Sequence, residues 1–207
     1  MKTNVTIDTQ SLADIDLSPL QQYVDWNPNA KYFDQPAGQE HYRLIAHICS
    51  QLPKGSTVVD IGTYTGASAL AASYNEDINI ITYDILDHLP APKTKPCIRD
   101  RPNIDVRVSN CLFDMEQISG ATLVILDVDP HDGIQESEIL DALISQKFTG
   151  MLLLDDIHLN DGMKTFYDDT VKTLAPDFAA VPDITPHGHF SGTGLLYYVD
   201  KFDVRVQ

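Results

Sequence analysis

Three apolar runs in the sequence end in carboxylates. VVDIGTYTG carries Asp60, VILDVDPHDG carries Asp127, Asp129 and Asp132 around His131, and LLLDDIH carries Asp155 and Asp156 just before His158. A carboxylate at the edge of an apolar core is costly unless it is paired, hydrogen-bonded or bound to a cation. The first run also carries two glycines that follow a predicted strand and open a predicted helix, Gly62 for a tight turn and Gly66 for close approach of a ligand or of the helix backbone. A dinucleotide site needs a further glycine where Tyr64 stands, so bare backbone for a pyrophosphate is missing. No lysine follows Gly66, which excludes a phosphate-binding loop of the GK[ST] type. Two readings stay open for this turn: a nucleoside-type ligand without a pyrophosphate, or a turn with no ligand. Asp84, at the end of the next strand, could accept both hydroxyls of a ribose, or be an ordinary solvated acid.

The elements that would position these residues alternate. The spacing of Tyr42, Ile45, Ile48, Cys49 and Leu52 predicts a helix over 37–52, stopped by Pro53 and Gly55. Strands are predicted over 56–62, 78–85, 103–110, 121–129 and 150–157, with helices over 67–74, 135–146 and 162–174. Two strands near the end, 178–185 and 193–200, are joined by a glycine-rich turn. Strands separated by helices imply an α/β fold, a parallel sheet with helices on both faces. Ligands of such sheets bind outside the carboxyl ends of the strands, which is where Asp60–Gly66, Asp84, Asn110, Asp127–His131 and Asp155–Asp156 fall. Residues 1–36 are polar and turn-rich and are expected to form a cap or substrate segment; residues 37–207 are expected to form the ligand-binding domain.

Composition narrows the partners. The chain of 207 residues has a formal net charge of −16, which repels nucleic acid. It shows no membrane-length apolar run, and its start lacks a secretory hydrophobic region. Cys49, Cys97 and Cys111 have no metal-ligand spacing. These features predict a reduced, cytoplasmic chain with a small-molecule partner and no nucleic-acid or membrane partner. A homo-oligomer is left open.

The stretch VVDIGTYTGASALAAS resembles motif I of the class I S-adenosylmethionine-dependent methyltransferases. It is similar above all to the catechol O-methyltransferase-like branch, whose strand ends acid-x-Gly-x-Tyr-x-Gly-x-Ser; here those positions are Asp60, Gly62, Tyr64, Gly66 and Ser68. The resemblance implies a Rossmann-like methyltransferase fold with a mostly parallel seven-stranded sheet and an antiparallel last strand. It implies that the turn formed by Asp60, Gly62, Thr63, Tyr64, Gly66 and Ser68 holds the methionine part of S-adenosylmethionine. Asp84 would bind the ribose, and Asn110 and Cys111 would flank the adenine. The metal-dependent members imply ligands from Asp127 and from the Asp155–Asp156 pair, an all-oxygen set that favours a hard divalent cation, Mg²⁺ first. The cation would lower the pKa of an acceptor hydroxyl. The catechol-type pattern has lysine where this chain has Pro130, so the expected base moves to His131, with His158 second. The implied activity is metal-assisted O-methyl transfer to a small hydroxylated molecule, with Asp127 and His131 at the reacting centre. Two alternatives remain. One is a metal-independent methyltransferase in which Asp127 orients substrate or cofactor amine. The other is a non-catalytic module that binds a nucleoside ligand or a partner.

Two segments carry weaker signals. Pro90, Pro92 and Pro96 forbid most of a helix over 88–102, where Lys93, Lys95, Arg99 and Arg101, with nearby Arg107, suggest either a lid or anion patch or a solvated loop. His187 and His189 could line the substrate mouth or decorate a hairpin.

Overall fold

A computed structural model describes residues 2–28, 33, 36–181, 184 and 191–207, with residues 36–40 as backbone. In chain order the elements are β1 (Thr3–Ile7), α1 (Pro36–Ser50), β2 (Thr57–Ile61), α2 (Ala67–Ala72), β3 (Asn79–Asp84), β4 (Ile104–Val108), α3 (Met115–Ile118), β5 (Leu123–Leu126), α4 (Ile134–Ser145), β6 (Met151–Leu154), α5 (Asp161–Leu174), β7 (Phe178–Val181), β8 (Gly194–Tyr198) and β9 (Phe202–Val206). Seven strands form one sheet in the order β4-β3-β2-β5-β6-β8-β7. The first five run parallel, and β8 lies antiparallel between β6 and β7. This is the doubly wound α/β arrangement expected from the alternation of strands and helices.

The chain lays β3 and β4 down on one side of β2, then returns to place β5 and β6 on the other. The order of strands therefore reverses between β2 and β5, and such a switch point opens a crevice at the carboxyl ends. Side chains along the central strands alternate between two cores. Leu123 and Ile125 of β5 face the core built with α1 and α2, whereas Val124 and Leu126 face the core built with α3, α4 and α5. Burial on both faces explains why these strands read as continuous apolar runs rather than as alternating ones.

The amino-terminal region has structure that its composition does not announce. Thr3–Ile7 pairs in parallel with Phe202–Val206, so β1 and β9 form a small separate sheet. Val5 and Ile7 bury their side chains in the α1–α2 core, and Gln51 and His47 of the α1 end bond the backbone of Thr6.

No regular helix connects β3 to β4; a single 3-10 turn, Ile98–Asp100, takes its place. The arginines of this connection and of β4 are engaged. Arg99 pairs with Asp87 at 2.6 Å, and Arg101 donates to the Ser73 carbonyl at 2.8 Å. Arg107 reaches Asp105, Asp114, Gln117 and the Tyr83 hydroxyl. These guanidinium groups brace the fold locally, which favours the solvated-loop reading over an anion patch. No helix among the described residues is long and apolar enough to cross a membrane.

Candidate active site

The turn after β2 is shaped by what presses on it. Gly62 has φ +109°, and a Cβ there would stand 1.6 Å from the Asp127 carbonyl oxygen. The end of β5 thus leans directly on this turn, and only glycine fits. Gly66 (φ +84°) faces Ile98, whose side chain would be 2.6 Å from an added Cβ. The space Gly66 leaves is filled by the proline-rich connection.

A chain of hydroxyls ties the turn to the strand below. Thr82 donates to Asp60 Oδ2 at 2.6 Å, and Thr63 lies 2.6 Å from the Thr82 hydroxyl. The Thr82 proton is used on Asp60, so Thr63 is the donor in the second bond. Asp60 is fully buried, and its Oδ1 has no hydrogen-bond partner among the described residues. Burial pushes its carboxyl up to about 7, opposed by the Thr82 hydroxyl and reinforced by the charge of Asp84. Asp84 accepts the amide of Tyr64 at 2.9 Å through one oxygen and the amide of Leu86 at 3.0 Å through the other. Asn110 accepts from the Leu112 amide at 2.9 Å and starts the turn that carries Cys111. Ser68 and Thr63 are buried beneath the turn, whereas Tyr64 is 52 % exposed with its ring against His88. Burial raises the Cys111 thiol to about 11, so it stays protonated at neutral pH.

Across the switch point the acids meet one another. β5 ends at Leu126, earlier than the strand expected to run through Asp129, and Asp127 to Gly133 forms a turn. This turn folds His131 back between the two strand ends. Its Nε2 lies 3.8 Å from Asp127 Oδ1 and 3.4 Å from Asp129 Oδ1, and its Nδ1 lies 3.5 Å from Asp156 Oδ2. Asp129 is therefore not on the strand face; its side chain is 96 % exposed. His131 and Asp156 both adopt left-handed backbone, with φ of 55° and 57°. That conformation is uncommon for residues other than glycine, and strain of this kind gathers at functional sites.

Asp127, His131 and Asp156 each offer a ligand atom, all within 4.8 Å of one another. Desolvation, and then the charges of Asp155, Asp156, Asp60 and Asp129, hold the Asp127 carboxyl well above the ordinary carboxylate range. Two carboxylates and an imidazole this close suit a divalent cation, whose charge would relieve the crowding. Asp155 is not part of this group. It turns into the protein and accepts the Thr193 hydroxyl at 3.0 Å, with His41 Nδ1 3.5 Å away. The structure therefore brings together two of the three acids expected as ligands and adds His131. His158, the second candidate base, follows the Asp156 turn and bonds the Ser191 carbonyl through its amide at 2.6 Å. His187 and His189 lie outside the described residues.

Two contributors were not recognised as site residues in the sequence. Tyr42 falls on the apolar spacing of α1, yet its phenol lies within electrostatic reach of the acids. Burial, then Asp127, Asp155, Asp60 and Asp156, raise its pKa. The stretch Ser191-Gly192-Thr193 reads as a turn, yet Ser191 donates to Asp156 and Thr193 to Asp155. Only the proximity of two hydroxyl residues to the start of a strand could have signalled this.

No family model matches the sequence, and no curated protein matches it. Solved structures do match the fold. A methyltransferase from Geobacter sulfurreducens superposes with a TM-score of 0.62 at 14 % identity, covering 89 % of each chain. The SAH-bound methyltransferase PaMTH1 of Podospora anserina gives 0.61 at 16 % identity, over 89 % of this chain and 88 % of that one. A Staphylococcus aureus protein, a candidate caffeoyl-CoA O-methyltransferase, gives 0.58 at 12 % identity, over 87 % of this chain and 97 % of that one.

Proposed function

On the premise of a Rossmann-like methyltransferase fold, we propose that this chain transfers a methyl group from S-adenosylmethionine to an oxygen of a small hydroxylated molecule, assisted by a divalent cation. One observation carries the reading. The Asp127–His131–Asp156 cluster lies at the switch point, and the carbonyl of Asp127 packs on the glycine turn expected to hold the cofactor.

In this reading Asp84 accepts the ribose hydroxyls, its carboxylate already aimed by the amides of Tyr64 and Leu86. Ile85, which follows it, is 69 % exposed and offers apolar surface to a purine face. Asn110 and Cys111 close the other side, and the 60–68 turn takes the methionine part. Asp127 and Asp156 would hold the cation, with Mg²⁺ the expected ion for carboxylate ligands. When bound, the cation lowers the pKa of the acceptor hydroxyl. His131 takes that proton on an imidazole nitrogen. The acceptor oxygen then forms its bond to the methyl carbon as the carbon–sulfur bond breaks, and S-adenosylhomocysteine leaves. Much of the rate in such a displacement comes from holding the reacting atoms in line.

The test is methyl transfer from labelled S-adenosylmethionine to a panel of catechols and vicinal-diol sugars, with Mg²⁺ and after exhaustive chelation. Transfer should disappear on chelation and return with Mg²⁺. Transfer that survives chelation would overturn the cation's role and leave the metal-independent enzyme. No transfer together with no cofactor binding would leave the non-catalytic module.

A further inference from the structure

β4 closes one side of the seven-stranded sheet, with β3 as its one strand neighbour. The ladder fixes which of its backbone groups point outward. Ile80 donates to the Asn103 carbonyl at 2.8 Å, and Ser109 donates to the Asp84 carbonyl at 2.7 Å. With the parallel register, residues 103, 105, 107 and 109 therefore bond β3. The N–H and C=O groups of Val106 and Val108, and the C=O of Ile104, face away from the sheet, and no bond to another described residue occupies them. The Ile104 amide is used locally, on the Arg101 carbonyl at 3.2 Å. A free edge of this kind is a template for another strand, and natural edges are commonly blunted by proline or lysine. Ile104–Val108 contains neither; its charges are one acid and one base, Asp105 and Arg107. They share a strand face, and Arg107 Nε donates to Asp105 Oδ2 at 2.9 Å. The end of the strand is apolar and open: Val108 is 48 % exposed, and Phe113 in the turn that follows is 83 % exposed.

We propose that a second copy of this chain pairs with β4 in antiparallel fashion, about a two-fold axis at Val106. The strand is self-complementary in that register. Val106 and its counterpart exchange two N–H···O=C bonds, and each Val108 amide donates to the Ile104 carbonyl of the other copy. Asp105 then stands opposite Arg107 of the second copy, and Arg107 opposite its Asp105, in the position where cross-strand side chains come closest. A shift of the register by two residues would lose this match of charges. The net charge of −16 opposes self-association over most of the surface. Residues 93–107 are locally the reverse, with five basic residues against Asp100 and Asp105. The edge that offers free backbone groups is thus also the one where two copies repel each other least. This pairing does not depend on the cofactor or cation readings above.

The experiment is sedimentation velocity of the full chain from about 1 to about 100 µM, the range of a modest interface. The parent should show a dimer that grows with concentration. Val108→Pro removes an outward N–H and leaves the bonds to β3 in place. It should weaken the dimer at least about thirtyfold, because the bond is lost twice by symmetry. Val108→Thr, which keeps the N–H and the branched side chain, should dimerise as the parent does. Asp105→Lys sets two lysines against two arginines and should weaken the dimer at least about tenfold, since like charges directly opposite are destabilising. Asp105→Glu should keep it. Circular dichroism checks folding; if Val108→Pro does not fold, the Asp105→Lys and Asp105→Glu pair decides alone. A parent that stays monomeric over the whole range overturns the pairing. A dimer undiminished in Asp105→Lys or in folded Val108→Pro also overturns it, because the copies would then meet through another surface.

Discussion

The two sides of the switch point space their acids differently. On the β2–β3–β4 side, each polar side chain already has a donor aimed at it. Asp60 has Thr82, Asp84 has two backbone amides, and Asn110 accepts the Leu112 amide. On the β5–β6 side, Asp127 and Asp156 face each other across His131 at 3.5 to 3.8 Å. In the proposed reading the first side is set in advance to receive a ligand rich in hydroxyls and apolar surface. In the proposed reading the second takes a positive charge between its acids. In that reading pre-organisation lowers the cost of binding on one side, and repulsion among the acids supplies the drive on the other.

The two sides meet at Gly62, so the largest effect should come from breaking that seam. Gly62→Ala sets a methyl 1.6 Å from the Asp127 carbonyl oxygen. It should cost about 3–4 kcal/mol or more in a urea melt and abolish S-adenosylhomocysteine binding, since both strain and overlap must be relieved by backbone movement. A small loss with cofactor binding intact would mean that the sides are not joined there.

Next, Asp127→Asn should reduce cation-dependent transfer by more than about a hundredfold, as expected when a ligand charge is lost. The same change should raise the melting temperature of the metal-free protein, because it removes repulsion. A metal-free melting temperature that falls would contradict the crowding of the acids. Asp84→Ala should weaken S-adenosylhomocysteine by about 10- to 100-fold, the usual worth of hydrogen bonds to a charged group, and leave Mn²⁺ affinity near that of the parent. A comparable loss of both would show that the sides are not separable.

The last effect is one of pH. The Asp60 carboxyl is raised to about 7 when folded, above its ordinary value near 3.8. The folded state then holds the extra proton between those values, so Asp60 makes stability fall as pH rises from about 4 to about 7, with no further change above. Asp60→Asn should flatten that part of the stability profile. An unchanged slope would mean that Asp60 ionises normally in its buried place.

The sheet and most of its edge were legible because the signals are local. Apolar runs of β2, β5 and β6 end in acids, and Gly62 and Gly66 mark the turn between strand and helix. The β1–β9 sheet was not legible, since Thr3–Ile7 is short and its partner lies at the other end of the chain. The different surroundings of the two acids after β6 were not legible for a related reason. Adjacent acids look equivalent in sequence, and only the β6–β8 register reveals that the Thr193 hydroxyl bonds Asp155, while Asp156 lies beside His131 and Asp127. Tyr42 was hidden by its own helix, where an aromatic residue at apolar spacing reads as core. Arg99, Arg101 and Arg107 looked like a basic patch because their carboxylate and carbonyl partners are distant in sequence.

The most direct test of the two-sided site is titration of Mg²⁺ into the protein already saturated with S-adenosylhomocysteine, for the parent and for Asp156→Asn. Both proteins should bind S-adenosylhomocysteine, and only the parent should then bind Mg²⁺. Equal Mg²⁺ binding by the two proteins, or a parent that takes up neither ligand, would contradict it.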